Sequence, residues 1–114
     1  MKLQIEGQSL RVRIGEDELA RLMAGESITS HTRFAQAFDM TCTLQLGAGD
    51  SAQLTGQPDA WSIEVPEAEV REHALRLPTR DGLKFILSGG DDGEALELLF
   101  DVDVRDSVRQ RRRS

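Results

Sequence analysis

Residues 38–46 alternate without a break. Phe38, Met40, Cys42, Leu44 and Leu46 are apolar, and Asp39, Thr41, Thr43 and Gln45 between them are polar. Successive side chains of an extended chain point to opposite faces, so this segment must be a strand with one dry and one wet face. A chain built around such a strand needs a second apolar layer to cover the dry face.

The same period recurs along the sequence. Leu96, Leu98, Phe100, Val102 and Val104 alternate with Glu97, Leu99, Asp101 and Asp103. Trp61, Ile63 and Val65 alternate with Ser62 and Glu64, and Leu83, Phe85 and Leu87 with Lys84, Ile86 and Ser88. The opening reads as a hairpin: Leu3 and Ile5, then Leu10, Val12 and Ile14, joined by Gly7-Gln8-Ser9. Residues 88–94, rich in Gly and Asp, predict a second hairpin loop, because these residues tolerate positive φ. Gly47-Ala48-Gly49-Asp50 predicts a third turn, followed by a short strand over 52–54. Residues 27–34 give a weaker strand signal.

Two helices fit. Over residues 16–24, Leu19, Leu22 and Met23 form one stripe, and Glu16, Asp17 and Glu18 sit in the first turn, where the helix dipole favours them. Gly25 suits the closing position. Over 67–75, Pro66 suits the start and Pro78 the stop, with Val70, Ala74 and Leu77 as the inward face. The order is β-β-α-β-β-β-β-α-β-β. Such an order predicts an α+β fold: a curved, antiparallel sheet of six to eight strands, as a partly closed barrel or a two-sheet sandwich, with two short helices. Residues 1–104 read as a single domain and 105–114 as a basic C-terminal tail expected to be flexible. No internal repeat is visible.

Charge is unevenly placed. The formal net charge is −6; the last ten residues carry five Arg and one Asp, or +4, so the first 104 carry −10. An acidic body repels nucleic acid and anionic membranes, which leaves nucleic-acid binding only to the tail, where it would be salt-sensitive. The one cysteine, Cys42, excludes an internal disulfide and a Cys-based metal centre, and on the dry face of its strand it reads as a buried, inert thiol. The opening has no signal-peptide core, and no stretch approaches the ~20 apolar residues of a membrane span. The expectation is a cytoplasmic protein. With five aromatic residues and no Tyr, most aromatics are expected in the core.

The opening M-K-L-Q-I-E-G-Q-S-L-R-V-R-I, followed by Glu18, Leu19 and Leu22, resembles a family of small bacterial proteins known only as a domain of unknown function. The matching positions are Met1, Lys2, Leu3, Ile5, Ser9, Leu10, Arg11, Val12, Arg13, Ile14 and those three. Residues 38–46, 63–66 and 82–87 are similar more loosely. Gln4, the Val102-Asp103-Val104 ending and the Arg tail depart from the pattern. The resemblance implies the hairpin-plus-helix opening and a bacterial source, and it carries no activity.

Few residues carry recognisable chemistry. Arg11 and Arg13 share one strand face, with Lys2 joining them if the hairpin register allows, and paired guanidiniums suit phosphate or carboxylate. They equally suit cross-strand pairs with an acid such as Glu6 or Glu64. Glu97, Asp101 and Asp103 share a face, with Glu64 a candidate neighbour, and read as the wet side of a strand. Asp91, Asp92 and Glu94 lack calcium-loop spacing and read as a hairpin tip. His31 and His73 have no partners at metal-ligand spacing and read as surface or helix-edge residues. Leu99 and Ile86 interrupt the wet sides of their strands and suggest a small outer apolar spot, covered by a helix or used in a dimer.

No catalytic motif, cofactor motif or metal motif emerges, so catalytic activity is left undecided, with the balance against it. The leading expectation is an uncharacterised, non-enzymatic binding or interaction module, with a protein partner or a homodimer as candidate assemblies. The alternative is binding or processing of a phosphorylated or other anionic small molecule through Arg11 and Arg13.

Overall fold

A computed structural model describes residues 1–91 and 93–104. The expected element order is found: β1 (Lys2–Glu6), β2 (Ser9–Gly15), α1 (Glu16–Met23), β3 (Ile28–Phe34), β4 (Phe38–Gly47), β5 (Gln53–Gln57), β6 (Ala60–Pro66), α2 (Glu67–Leu75), β7 (Leu83–Leu87) and β8 (Leu96–Asp103). The eight strands make two four-stranded sheets, ordered β1-β2-β8-β7 and β3-β4-β6-β5. The fold is α+β, and curved sheets facing each other fit the sandwich rather than a closed barrel. The strand expected over 52–54 runs instead from Gln53 to Gln57.

The sheets are not wholly antiparallel. The outer pairs are, but β2 runs parallel to β8 and β4 parallel to β6 at the centre of each sheet. Alternation fixes which face a residue takes and leaves the direction of the neighbour open.

The dry faces meet in one core. Leu10, Val12 and Ile14 of β2 lie beside Leu98, Phe100 and Val102 of β8, opposite Cys42 and Leu44 of β4 and Ile63 and Val65 of β6. Both helices add to it, with Leu19 and Leu22 from α1 and Val70 from α2. Helix α1 closes as expected. Gly25, at φ 96°, follows the last turn, Glu26 N–H donates to the Arg21 carbonyl at 3.0 Å and Gly25 N–H to that of Leu22 at 3.1 Å. Arg71 of α2 donates to the Met23 carbonyl at 2.7 Å, so each helix supports the other.

A repeat hidden in the sequence emerges in the strand order. Moving each strand four places along the chain, cyclically, converts one sheet into the other. The registers agree: Lys2 pairs with Arg13 as Gln53 pairs with Glu64, and Arg13 pairs with Asp101 as Glu64 pairs with Gln45. Residues 1–24 therefore correspond to 52–75. What the halves share is the apolar pattern, which any half-buried strand has, and this is why sequence alone did not disclose it.

The start of the chain is tied down by charge. The Met1 ammonium donates to both Glu18 carboxylate oxygens at 2.8 and 3.0 Å, and Gly15 N–H donates to the same side chain at 3.1 Å. Burial raises the Glu18 pKa, but the ammonium and the backbone bond outweigh it, and the net shift is downward from 4.5. Glu18→Gln is expected to lower stability by about 1–2 kcal/mol at neutral pH. Because the folded carboxyl titrates below the unfolded one, this contribution is full above 4.5 and fades as the pH falls through the folded value. Urea unfolding of both proteins at pH 7 and near pH 3 checks it: the gap should narrow in acid.

Candidate functional site

Arg11 and Arg13 do share the outer face of their sheet, and Lys2 and Gln4 of β1 lie opposite them. Asp101 of β8 lies between the two guanidiniums, with Arg13 donating at 3.0 and 3.2 Å and Arg11 Nη2 at 3.9 Å. Arg11 Nε is buried without a hydrogen-bond partner, beside a hollow of ≈160 Å³ that Glu6 also lines. Glu97 is drawn away to Lys84 at 3.6 Å. Across the whole face Lys2, Arg11, Arg13 and Lys84 are matched by Glu6, Glu97, Asp101 and Asp103, so cations and carboxylates balance. Glu64 is not a neighbour: it lies in the other sheet, 3.4 Å from Gln45. Of the expected carboxylates, Asp101 alone meets the two arginines, while Glu97 and Glu64 do not.

Leu99 and Ile86 share the outer face but are not opposite each other, since Lys84 pairs with Leu99 and Ile86 with Glu97. Asp92 lies outside the described residues, as does the Arg tail from 105 onward. Among the described residues no group of three or more His, Cys, Asp or Glu is placed to hold a metal ion. No helix among them is long and apolar enough to cross a membrane.

The cysteine is buried as expected, and burial pushes its thiol pKa up to about 11, which keeps it unreactive. His31 is exposed, 3.5 Å from Asp39, which Arg33 also approaches at 3.3 Å. His73 is a correction. It is only 3 % exposed, on the inward face of α2, with its ring edge-on to Phe100 at 6.5 Å. Its counterpart in the repeat is Leu22, so an imidazole occupies an apolar residue's place. A second correction concerns the aromatics. Phe34 and Phe38 stack at 4.6 Å yet are 42 % and 55 % exposed, because their hairpin tip reaches past the start of β6 at Ala60.

The feature that single-residue reading missed is the edge strand β5. It is exposed along its whole length, and its residues line two concavities. One, of ≈550 Å³, lies between β5 and β7 and is lined by Ala52, Leu54, Thr55, Ile86, Leu87 and Leu96, among others. The second, of ≈350 Å³, lies against Leu54, Thr55, Gly56, Pro58 and Trp61. Leu54 and Thr55 belong to both, so the groove runs along the strand. Gly56 is held at φ 107°, and a Cβ there would sit 2.5 Å from the Ala60 carbonyl oxygen, so the close hairpin that shapes this end requires glycine. The counterpart of Ala52 is Met1, whose longer side chain packs against the core; Ala52 is itself buried and lines the first concavity.

The four edge strands differ in protection. Exposed edges are ordinarily blunted by charge, proline or a bulge, because their free N–H and C=O groups invite another strand. β1 carries Lys2 and Glu6, β3 carries His31 and Arg33, and β7 carries Lys84; β5, Gln-Leu-Thr-Gly-Gln, carries no charge.

A two-sheet α+β domain with a bare, grooved strand edge and no assembled catalytic cluster among its described residues belongs to the broad class of small sandwich modules. The chain is a member of the family of unknown function DUF7009, whose family model matches residues 1–105. No curated protein and no solved structure matches it.

Burial lowers the His73 pKa from 6.5, nearby Arg76 adds to this, and Asp101 opposes it. The unfolded chain therefore takes up this proton first. Stability is full above 6.5 and falls as the pH drops through the lower folded value. His73→Leu, the repeat's own apolar solution, is expected to flatten that decline below pH 6.5. Melting temperatures of the two proteins across this range test it; parallel curves would show that another group titrates.

Proposed function

We propose that this protein is a non-enzymatic interaction module that captures an extended segment of a partner protein along β5. One observation carries the reading: β5 is an edge strand without charge, and its Leu54 and Thr55 line two concavities. Strand addition supplies main-chain hydrogen bonds for affinity, and flanking hollows accept alternate side chains for specificity. The hollow toward β7 offers Leu54, Ile86, Leu87 and Leu96, with Leu54 40 % and Ile86 64 % exposed. A reducing cytoplasm suits the lone buried thiol of such a module, and a bacterial source remains what the resemblance implies.

The test uses the full chain and three capped seven-residue probes in which valine alternates with lysine, serine or glutamate. At least one is expected to bind, measured by fluorescence anisotropy, with amide shifts along residues 53–57. Ala52→Met should abolish binding by narrowing the hollow that Ala52 lines; because Ala52 is itself buried, an unchanged circular-dichroism spectrum checks that the variant is folded. Ile86→Ser, on an exposed site, should weaken binding without touching the core. Failure of all three probes, or binding unaffected by both substitutions, overturns the reading.

The anionic-ligand alternative is supported less. Its one favourable observation is the unpartnered Arg11 Nε; against it, Asp101 lies between both guanidiniums and the face is balanced in charge. Inorganic phosphate at millimolar concentration is therefore expected to leave the melting temperature unchanged. A rise that Arg11→Ala removes would restore the alternative.

A further inference from the structure

The hairpin that presents β5 decides which of its backbone groups are free. Its loop has two residues, Pro58 and Asp59, so Gln57 and Ala60 form the closing hydrogen-bonded pair, and residues 57, 55 and 53 direct their N–H and C=O groups to β6. Leu54 and Gly56 therefore direct theirs outward from the sheet edge. Side chains alternate along the same strand. Leu54 stands opposite the buried Ile63 and Gly56 opposite Trp61, so both belong to the dry face, while Gln53, Thr55 and Gln57 belong to the wet one. At Gly56 the dry face has no side chain, and the concavity of ≈350 Å³ lies there, against Pro58 and Trp61. About Thr55 the strand is self-complementary: Gln53 answers to Gln57, and Leu54, a projecting side chain 40 % exposed, answers to the gap at Gly56.

We infer that the segment captured along β5 is β5 of a second copy of this chain, antiparallel and centred on Thr55. This rests on the strand-addition reading above and names its occupant. In that register Leu54 of each copy stands opposite Gly56 of the other. These two pairs exchange four main-chain hydrogen bonds, which use every outward N–H and C=O of Leu54 and Gly56. Opposed residues of an antiparallel pair share a face, so each Leu54 side chain lies on the dry face over the other copy's Gly56 and enters the concavity against Trp61. Each copy thus supplies the side chain that the other lacks. Thr55 meets Thr55 on the wet face, as Thr29 meets Thr43 at 3.4 Å between β3 and β4 within one chain. Gln53 meets Gln57, so no pair in the ladder carries charge. The two sheets β3-β4-β6-β5 join into one of eight strands, and the bare edge is paired. Five residues a side fall well short of the ~20–30 of a standard interface, so the dimer is weak and reversible, and a probe strand can displace it.

Sedimentation equilibrium of the full chain from micromolar to millimolar concentration reads the association. A reversible dimer is expected, and an excess of a valine probe should convert it to monomer, because both need the same edge. Thr55→Lys, at an exposed position, sets two ammonium groups opposite each other and should weaken association on the order of tenfold with an unchanged circular-dichroism spectrum. Single cysteines read the register, since the Cα atoms of a non-hydrogen-bonded pair lie ~4.5 Å apart, within disulfide reach. Under mild oxidation Thr55→Cys should cross-link to itself. Gln53→Cys and Gln57→Cys should each stay uncross-linked alone and cross-link when mixed. The parent, whose one thiol at Cys42 is buried, is the control. A chain that stays monomeric at every concentration yet binds the probes overturns the second copy as occupant and leaves strand addition standing. A monomer that binds no probe overturns both. A dimer that survives Thr55→Lys, holds a probe while remaining dimeric, or gives no cross-link at Thr55→Cys is joined elsewhere and overturns the proposal. Self-cross-linking by Gln53→Cys alone means another register and overturns the pairing of Leu54 with Gly56.

Discussion

Everything else in this fold depends on the last strand entering the middle of the first sheet. β8 lies between β2 and β7, and its parallel register with β2 sets Leu98, Phe100 and Val102 beside Leu10, Val12 and Ile14. The two partners are separated by most of the chain, so this pairing requires closing a very long loop before it yields any burial. The Gln8 carbonyl accepts from Glu97 N–H at 2.8 Å and the Gln8 amide donates to the Ala95 carbonyl at 3.1 Å, fixing the register where it begins, at the Ser9–Glu97 pair. Neither half of the chain completes a sheet alone: the first sheet takes β1 and β2 from one half and β7 and β8 from the other, and the second sheet does the reverse.

That exchange makes the places where the halves differ informative. At the pair equivalent to Arg13–Asp101 stand Glu64 and Gln45, so a charge-assisted contact in one sheet becomes an amide–carboxylate contact at 3.4 Å in the other. At Leu22 stands His73, which places a titratable ring in an otherwise apolar interior. At Met1 stands Ala52. The first two differences exchange one satisfied or packed arrangement for another. The third shortens a buried side chain next to the edge strand that lacks charge.

Faces were legible in the sequence; neighbours were not. The alternation at Phe38–Gly47 and Leu96–Asp103 determined which side chains enter the core, and the capping pattern at Glu16 and Gly25 fixed α1 nearly to the residue. Strand order, the two parallel ladders and the division into two sheets depend on distant partners, and local pattern contains no record of them. This is why Glu64 seemed a neighbour of Glu97 and Asp101 and proved to lie in the other sheet. His73 seemed peripheral because a helix of weak amphipathicity gives no clear inward face. Val70 and His73 are three apart and share that face all the same. Phe34 and Phe38 seemed destined for the core because they fall on the correct side of their strands; they lie past the point where any facing layer reaches them.

The groove along β5 could not be found by searching for chemically active residues, because what defines it is missing chemistry. Glutamine, leucine, threonine and glycine read as an unremarkable short strand. Their meaning comes from position: a sheet edge whose residues line a hollow. A charge at Gln53 or Thr55 would protect that edge at little cost to stability, since β5 is exposed throughout. The other three edges carry such charges, so protection is compatible with this fold, and a bare edge leaves the chain open to unwanted pairing.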